Sequence, residues 1–281
     1  MKKEGYLQKS RVYKGFHYSV LKPDMLDYLH RRTLEMMKDI LSVFEKNNIR
    51  YAICGGTLLG AATTGKFIPW DDDFDVCVFE EDYDRMIQLL VAESQVGGGK
   101  TWCLQCSQTD KNYYLDWVKV RDKNSHVYPD IPTAKENGVW IDLYKLVRVK
   151  EKDTKWIIAK GHLDYVNRRY ALGGLTDEQF KERLKNGHLR RNYLRERIKS
   201  LFNWSNQEAY IIWSASKVIV RKEWVLPLKK FDFEGLQLTS FGKAEEYLRQ
   251  HYGDKFNVWP EDELRRVGIN DIKYNIEYNG G

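Results

Sequence analysis

The sequence predicts an α+β fold, a mixed sheet flanked by helices, with a mostly helical C-terminal part. Three observations carry this. A helical apolar stripe at Met37, Ile40, Leu41 and Phe44 runs straight into an apolar run, Tyr51-Ala52-Ile53-Cys54. A second strand pattern, Asp73-Phe74-Asp75-Val76, returns after a glycine turn and leads into another helix. From about Glu151 the texture changes to helices separated by short polar joints. Residues 1–150 are therefore expected to form an α/β core and residues 151–281 a helical region packed on it.

Taken in order, the first twenty or so residues are polar, aromatic and aperiodic, an arm laid over the body. Pro23 and Asp24 mark a helix start, because proline suits a first turn and an acid suits its positive end; the helix should end near Asn47-Asn48. Glu80, Glu81 and Asp82 open the next helix, whose buried face is Tyr83, Met86, Ile87, Leu90 and Val91. It stops before Gly97-Gly98-Gly99. Thr101 to Ser107 and Tyr114 to Arg121 then alternate as paired strands, a loop passes through Pro129 and Pro132, and Gly138 opens the strand Val139 to Tyr144.

Beyond Glu151, Trp156 to Leu172 is a helix halted by Gly173-Gly174, and Thr176 with Gln179 makes a capping box for the next. A basic helix follows, with Leu194, Ile198, Leu201 and Phe202 on one face and Arg190, Arg191, Arg195, Arg197 and Lys199 crowding the others. It is a candidate for peripheral contact with anionic lipid at the inner membrane face. Gln207 to Val218 is expected to be helical, Ala244 to Tyr252 is a last helix, and Lys273 to Gly281 frays.

Bulk numbers narrow the function classes. A chain of 281 residues with 42% hydrophobic and 14% aromatic content can bury a real core. Its net charge of +6 is modest, fitting an anionic substrate or membrane surface better than a dedicated nucleic-acid binder. There is no run of about 18 apolar residues, and Met1 to Tyr6 lead into no signal-peptide segment, so a cytoplasmic location is expected. Cys54 and Cys77 lie in apolar strands as small hydrophobes; Cys103 and Cys106 form a lone C-x-x-C whose positions a strand sends to opposite faces, which argues against zinc.

The chemistry concentrates between Tyr51 and Phe79. In a strand, Asp73 and Asp75 share one face while Phe74 and Val76 take the other. Two such carboxylates about 4 Å apart repel by about 4 kcal/mol at an effective dielectric near 20, so a proton or a cation must intervene. Carboxylate oxygens suit Mg²⁺ or Mn²⁺, and the turn Gly55-Gly56-Thr57 can bring backbone N–H groups and a hydroxyl to a substrate phosphate. Singly, an aspartate run is a solvated turn and Gly-Gly a bend; together they make a phosphate cradle facing a metal site. Asp142, inside the apolar run Ile141-Asp142-Leu143, needs a cationic partner or a shared metal.

The words GGTLLGA and IPWDDDFDV closely resemble the LicD family of phosphotransferases, relatives of the fukutin proteins with the nucleotidyltransferase fold. The resemblance extends from about Leu26 to Arg266, and the closing pattern FEG, YLRQHYGD and Trp-Pro belongs to it. It implies a nucleotidyltransferase-like mixed sheet and makes Asp142 the third acid of the site beside Asp73 and Asp75, with Asp71 a further ligand, directly or through water, and Asp72 pointing away. Two ions about 4 Å apart would bind the entering and departing oxygens. The implied activity is transfer of a phosphorylated alcohol, first phosphocholine from CDP-choline, to a hydroxyl of a cell-surface glycan or its lipid-linked precursor.

On this reading Asp142 is also the candidate base, Lys66, Lys119 and Arg121 are candidates for the diphosphate, and Trp117, Trp140, Tyr113 and Tyr114 for an aromatic cage around choline. One departure stands out: family members commonly carry Arg-His-Lys-Gly where this chain has Thr63-Thr64-Gly65-Lys66. Ribitol phosphate, glycerol phosphate and phosphoethanolamine stay open as cargo. So do a nucleotidyltransferase acting on RNA or a small alcohol, and a noncatalytic glycan- or partner-binding protein.

Overall fold

The computed structural model describes residues 11–13, 16–18, 23–96, 99–128, 135–213, 218–259 and 271–274. The expectations for the Gly97-Gly98 turn, the Pro129–Pro132 loop, Pro260 to Arg266 and residues 275–281 lie outside them. A short antiparallel hairpin, β1 (Arg11–Tyr13) and β2 (Phe16–Tyr18), stands where an arm was expected. Helix α1 (Pro23–Lys46) then begins at the proline and ends before Asn47, with Met37, Ile40, Leu41 and Phe44 all buried.

The core alternates as the sequence predicts. Strand β3 (Tyr51–Ile53) leads through Cys54 into helix α2 (Gly55–Thr63), and β4 (Asp75–Phe79) returns antiparallel to β3, pairing Ile53 with Val76. Here the structure corrects one expectation: Gly55-Gly56-Thr57 is the first turn of a helix, not a bend into a loop. Helix formers Leu58, Leu59, Ala61 and Ala62 continue it once the glycines have let the chain turn. Helix α3 (Glu80–Glu93) buries Tyr83, Met86, Ile87 and Leu90. Strand β5 (Trp102–Gln105) pairs antiparallel with β6 (Val118–Asp122), and β7 (Ser125–Tyr128) follows.

Strand β8 (Trp140–Lys150) is the spine. Its first half lies between β4, parallel, and β6, antiparallel; its second half pairs with β9 (Glu208–Trp213). Between these strands run α4 (Thr154–Ala171), α5 (Asp177–Asn186), started by the Thr176–Gln179 capping box, and α6 (Leu189–Leu201). The stretch expected as a helix, Gln207 to Val218, instead holds β9 over Glu208–Trp213, and Val218 opens a further strand; residues 214–217 lie outside the described residues. Tyr210, Ile211 and Ile212 are all buried, and β-branched residues fit the open half of β8 better than a helix that would have to expose one face.

Strand β10 (Val218–Arg221), helix α7 (Lys222–Val225), strands β11 (Lys229–Phe233) and β12 (Leu236–Ser240), helix α8 (Ala244–Tyr252) and β13 (Asp271–Tyr274) complete the described chain. Nine of the strands make one mixed sheet, with main path β10-β9-β8-β4-β3-β12-β11, and β6 and β5 branching from β8. Strand β13 pairs with β7. The sheet therefore draws strands from both halves of the chain. Its apolar faces pack against α1, α3 and α8, and a smaller cluster of Tyr113, Tyr114, Leu115 and Trp117 packs against Tyr144, Tyr165 and Leu172. No helix among the described residues is long and apolar enough to cross a membrane.

Candidate active site

Sheet register builds the site. Asp75 on β4 pairs with Asp142 on β8, and Asp142 pairs on its other side with Lys119 on β6, so two carboxylates and an ammonium stand in one row across three strands. Asp73 lies just before β4, not inside it, yet its carboxylate meets the pair: one oxygen each from Asp73, Asp75 and Asp142 fall within 4.8 Å of one another. Asp71, Asp72 and Asp73 form a second such group, so Asp72, expected to point away, joins the outer cluster while staying out of the inner one.

The start of α2 forms one wall. Gly56 N donates to Asp75 Oδ2 at 3.2 Å, and Tyr144 Oη donates to Asp75 Oδ1 at 3.1 Å. Both glycines are there for space. A Cβ on Gly55, whose φ is +53°, would sit 2.1 Å from Asp75 Oδ2, and one on Gly56 would sit 2.3 Å from Asp71 Oδ2. The positive end of the helix thus lies against the acids and offsets part of their charge. Thr57, expected to meet a phosphate, is buried, and its hydroxyl accepts from Asp75 N at 2.8 Å. The turn holds Asp75 in place and leaves only Gly55 and Gly56 half-open.

Asp142 has the cationic partner its apolar surroundings demand. Its Oδ1 accepts from Lys119 Nζ at 2.5 Å and from Trp117 Nε1 at 2.6 Å, and its Oδ2 from Trp140 Nε1 at 2.9 Å. This revises four assignments. Lys119 is buried against the Trp140 ring, 4.3 Å from its centroid, and is committed to Asp142, not open to a diphosphate. Arg121, two residues on along the same face, stacks 4.9 Å from that ring, donates to Gln105 Oε1 and Gly138 O, and is fully buried, so it braces the indole from behind. Trp117 and Trp140 turn their N–H edges to the carboxylate, which makes them positioning groups before they are a cage.

The remaining candidates lie elsewhere. Tyr114 stacks edgewise on Tyr165 under α4, with Tyr113 in the same small cluster. Lys66 is exposed beyond the C-terminal end of α2, opposite the end that meets Asp75. Sequence reasoning missed Tyr144, although it stands two residues after Asp142 and so shares its face, and His30, whose Nε2 lies 2.8 Å from Asp71 O while its ring stacks on Phe67.

The electrostatics follow from five carboxylates in two overlapping groups, with the Lys119 ammonium paired to Asp142 alone. Burial, then the charges of neighbouring acids, pushes Asp71 and Asp73 well above the usual carboxylate range. Burial and Asp142 push Asp75 up to about 7, against the opposing pull of Tyr144, Gly56 and Lys119. Burial lowers Lys119 even though Asp142 favours its charged form. Asp71 Oδ2 is buried without a hydrogen-bond partner. A hard-oxygen donor set with excess negative charge and an orphaned oxygen fits a divalent cation such as Mg²⁺ or Mn²⁺.

Residues 48–167 match the family model described as LicD/FKTN/FKRP, nucleotidyltransferase domain. The chain is 24% identical over 267 residues to a lipopolysaccharide cholinephosphotransferase, LicD, of Haemophilus influenzae, covering 86% of this chain and 91% of that one. It is 33% identical over 122 residues to the ribitol 5-phosphate transferase FKRP of Mus musculus, covering 40% of this chain and 23% of that protein. An uncharacterized protein of Rickettsia typhi is 43% identical over 100 residues, 34% of this chain and 32% of its own length. The last two matches therefore span only a quarter to a third of those relatives.

Proposed function

From the match of residues 48–167 to the LicD/FKTN/FKRP model, we propose that this chain is a LicD-type transferase that moves a phosphorylated alcohol from an activated donor onto a hydroxyl of a glycan or a lipid-linked glycan. The favoured donor is CDP-choline, since the relative matched along 91% of its length is named a cholinephosphotransferase. Ribitol phosphate is the alternative cargo, after the transferase matched over the shorter stretch. The observation that carries the reading is the convergence of Asp73, Asp75 and Asp142 at one point of the sheet.

Asp71, Asp73, Asp75 and Asp142 are the residues that would hold Mg²⁺ or Mn²⁺, which when bound neutralises charge on a diphosphate and polarises its oxygens. The rest falls to the chain's own groups, and phosphoryl transfer asks mainly for alignment. Asp75 is fixed by Tyr144 and Gly56, and Asp142 by Trp117, Lys119 and Trp140. With three donors on its two oxygens, Asp142 is a poor base. Of the three inner acids, Asp73 alone accepts no such hydrogen bond among the described residues, so it is the one suited to take the hydroxyl proton. The glycan oxygen then bonds to the outer phosphorus, the bond to the CMP oxygen breaks, and CMP leaves.

Purified protein with Mn²⁺ and a panel of CDP-alcohols should release CMP with one of them, and that donor should raise the melting temperature because it binds only the native state. Pyrophosphate released from a nucleoside triphosphate, with no CMP from any CDP-alcohol, would overturn the reading. A second expectation concerns the cradle. In Gly56→Ala the new methyl must push Asp71 aside, so the protein should fold normally, by its circular dichroism and melting temperature, while kcat falls by about tenfold to a hundredfold. An unchanged kcat would remove Asp71 from the site.

A further inference from the structure

Helix α6 wears its apolar stripe on the outside. Leu194, Ile198 and Leu201 stand at i, i+4 and i+7, and they are 57%, 55% and 62% exposed; Phe202 and Trp204 just beyond them are 77% and 89% exposed. The stripe read from the sequence on one face of this helix thus points away from the body. The inner face is taken by Tyr193, whose ring meets Trp156 of α4, and by Ser200, which donates to Asp153 just before α4. Those contacts fix the rotation of the helix, so the outward stripe is a property of the fold.

Charge shares the same place. Residues 181–204 carry eight Lys and Arg against two Glu, an excess of six that equals the net charge of the whole chain, +6. Arg190, Arg191, Arg195 and Lys199 are all exposed on α6. Five of the nine exposed large apolar side chains among the described residues also fall between 194 and 204. An apolar patch of this kind marks a surface that something covers. A second copy of the chain would bring two strongly positive faces together, which Coulomb repulsion opposes.

We propose that this face of α6, extended by Phe202 and Trp204, seats the protein on an anionic lipid surface. The leucines and isoleucine enter the acyl boundary, the arginines lie at headgroup level with their stems along the apolar stripe, and Trp204 sits at the interface, where its amphipathic ring is favoured. The surface is tied to the candidate site. Arg168 of α4 pairs with Asp116 at 3.1 Å, and Tyr165 of α4 stacks on Tyr114, so α4, against which α6 packs through Tyr193 and Trp156, grips the segment that presents Trp117 to Asp142.

The test is co-sedimentation of the full chain with vesicles of equal parts phosphatidylglycerol and phosphatidylcholine, beside vesicles of phosphatidylcholine alone. Binding is expected only with phosphatidylglycerol and should weaken as salt is raised. Leu194→Gln, Ile198→Gln and Leu201→Gln combined should cut the partition coefficient at least about tenfold while leaving the melting temperature unchanged, because these side chains are already in water. Arg191→Glu with Arg195→Glu should abolish the preference for phosphatidylglycerol. Asp75→Asn should bind vesicles like the parent, which separates this surface from the proposed chemistry. Failure to sediment with phosphatidylglycerol overturns the proposal, as does equal binding by the triple variant, or a parent dimer in sedimentation equilibrium that the triple variant turns into monomer.

Discussion

Asp75→Asn is expected to lose at least about a thousandfold in kcat and yet, with chelator present, to melt at a higher temperature than the parent at pH near 8. Both effects have one cause. Asp75 stands between Asp73 and Asp142, and burial together with Asp142 has pushed its carboxyl up to about 7 from an ordinary 3.8. A folded-state value above the unfolded one means that the folded protein binds more protons between about 4 and about 7. Stability of the chelated parent therefore falls as pH rises through that window. The amide carries no charge and escapes this loss, and its single oxygen can still accept from Gly56 N while its NH2 donates to the Tyr144 hydroxyl. The gain should be clear at pH 8 and fade below about pH 4, where the parent carboxyl is protonated in both states. Retained turnover, or a lower melting temperature at pH 8 with chelator, would show that Asp75 is not part of a repelling ligand set.

Lys119→Met should have the opposite sign and comparable weight. The ammonium is buried between Asp142 and the Trp140 ring, and it is the one cation in contact with the acids among the described residues. Methionine fills similar space but leaves Asp142 to two indole N–H groups, an uncompensated buried carboxylate that costs about 3–5 kcal/mol. The urea midpoint of the chelated variant should drop accordingly. Mn²⁺ should restore more stability to the variant than to the parent, since the cation would replace the missing charge. Coupling with Asp142→Asn offers a control: the double variant should recover most of the loss. A single variant within about 1 kcal/mol of the parent would mean that the Lys119–Asp142 pair is not what holds the row together.

Much of this site was legible because its signals are local. The alternation Asp73-Phe74-Asp75-Val76 announces which side chains share a face, and Asp142 between Ile141 and Leu143 announces a buried charge; the structure joins all three. Helices α1, α3 and α5 were readable from caps and stripes for the same reason. What failed depended on neighbours far away in sequence. Lys119 and Arg121 look alike on a strand, and only the pairing of β6 with β8 decides that one meets Asp142 and the other the back of Trp140. The stretch from Gln207 reads as a helix until β8 offers Tyr210, Ile211 and Ile212 an open edge. The stripe of α6 was found, but periodicity says that a stripe exists and not which way it faces.

The order in which the chain is made bears on how the cradle is completed. Gly55 N donates to Tyr247 Oη across 192 residues, and Ser240 Oγ donates to Ile53 O across 187. During synthesis Tyr51 to Ile53 emerge from the ribosome long before their parallel neighbour β12, so one side of β3 is a bare edge while most of the chain is still to come. Such high contact order slows the final closure. It also means that a fragment cut to the matched residues 48–167 would carry the acids and yet lack the strand that shields them from edge-to-edge aggregation.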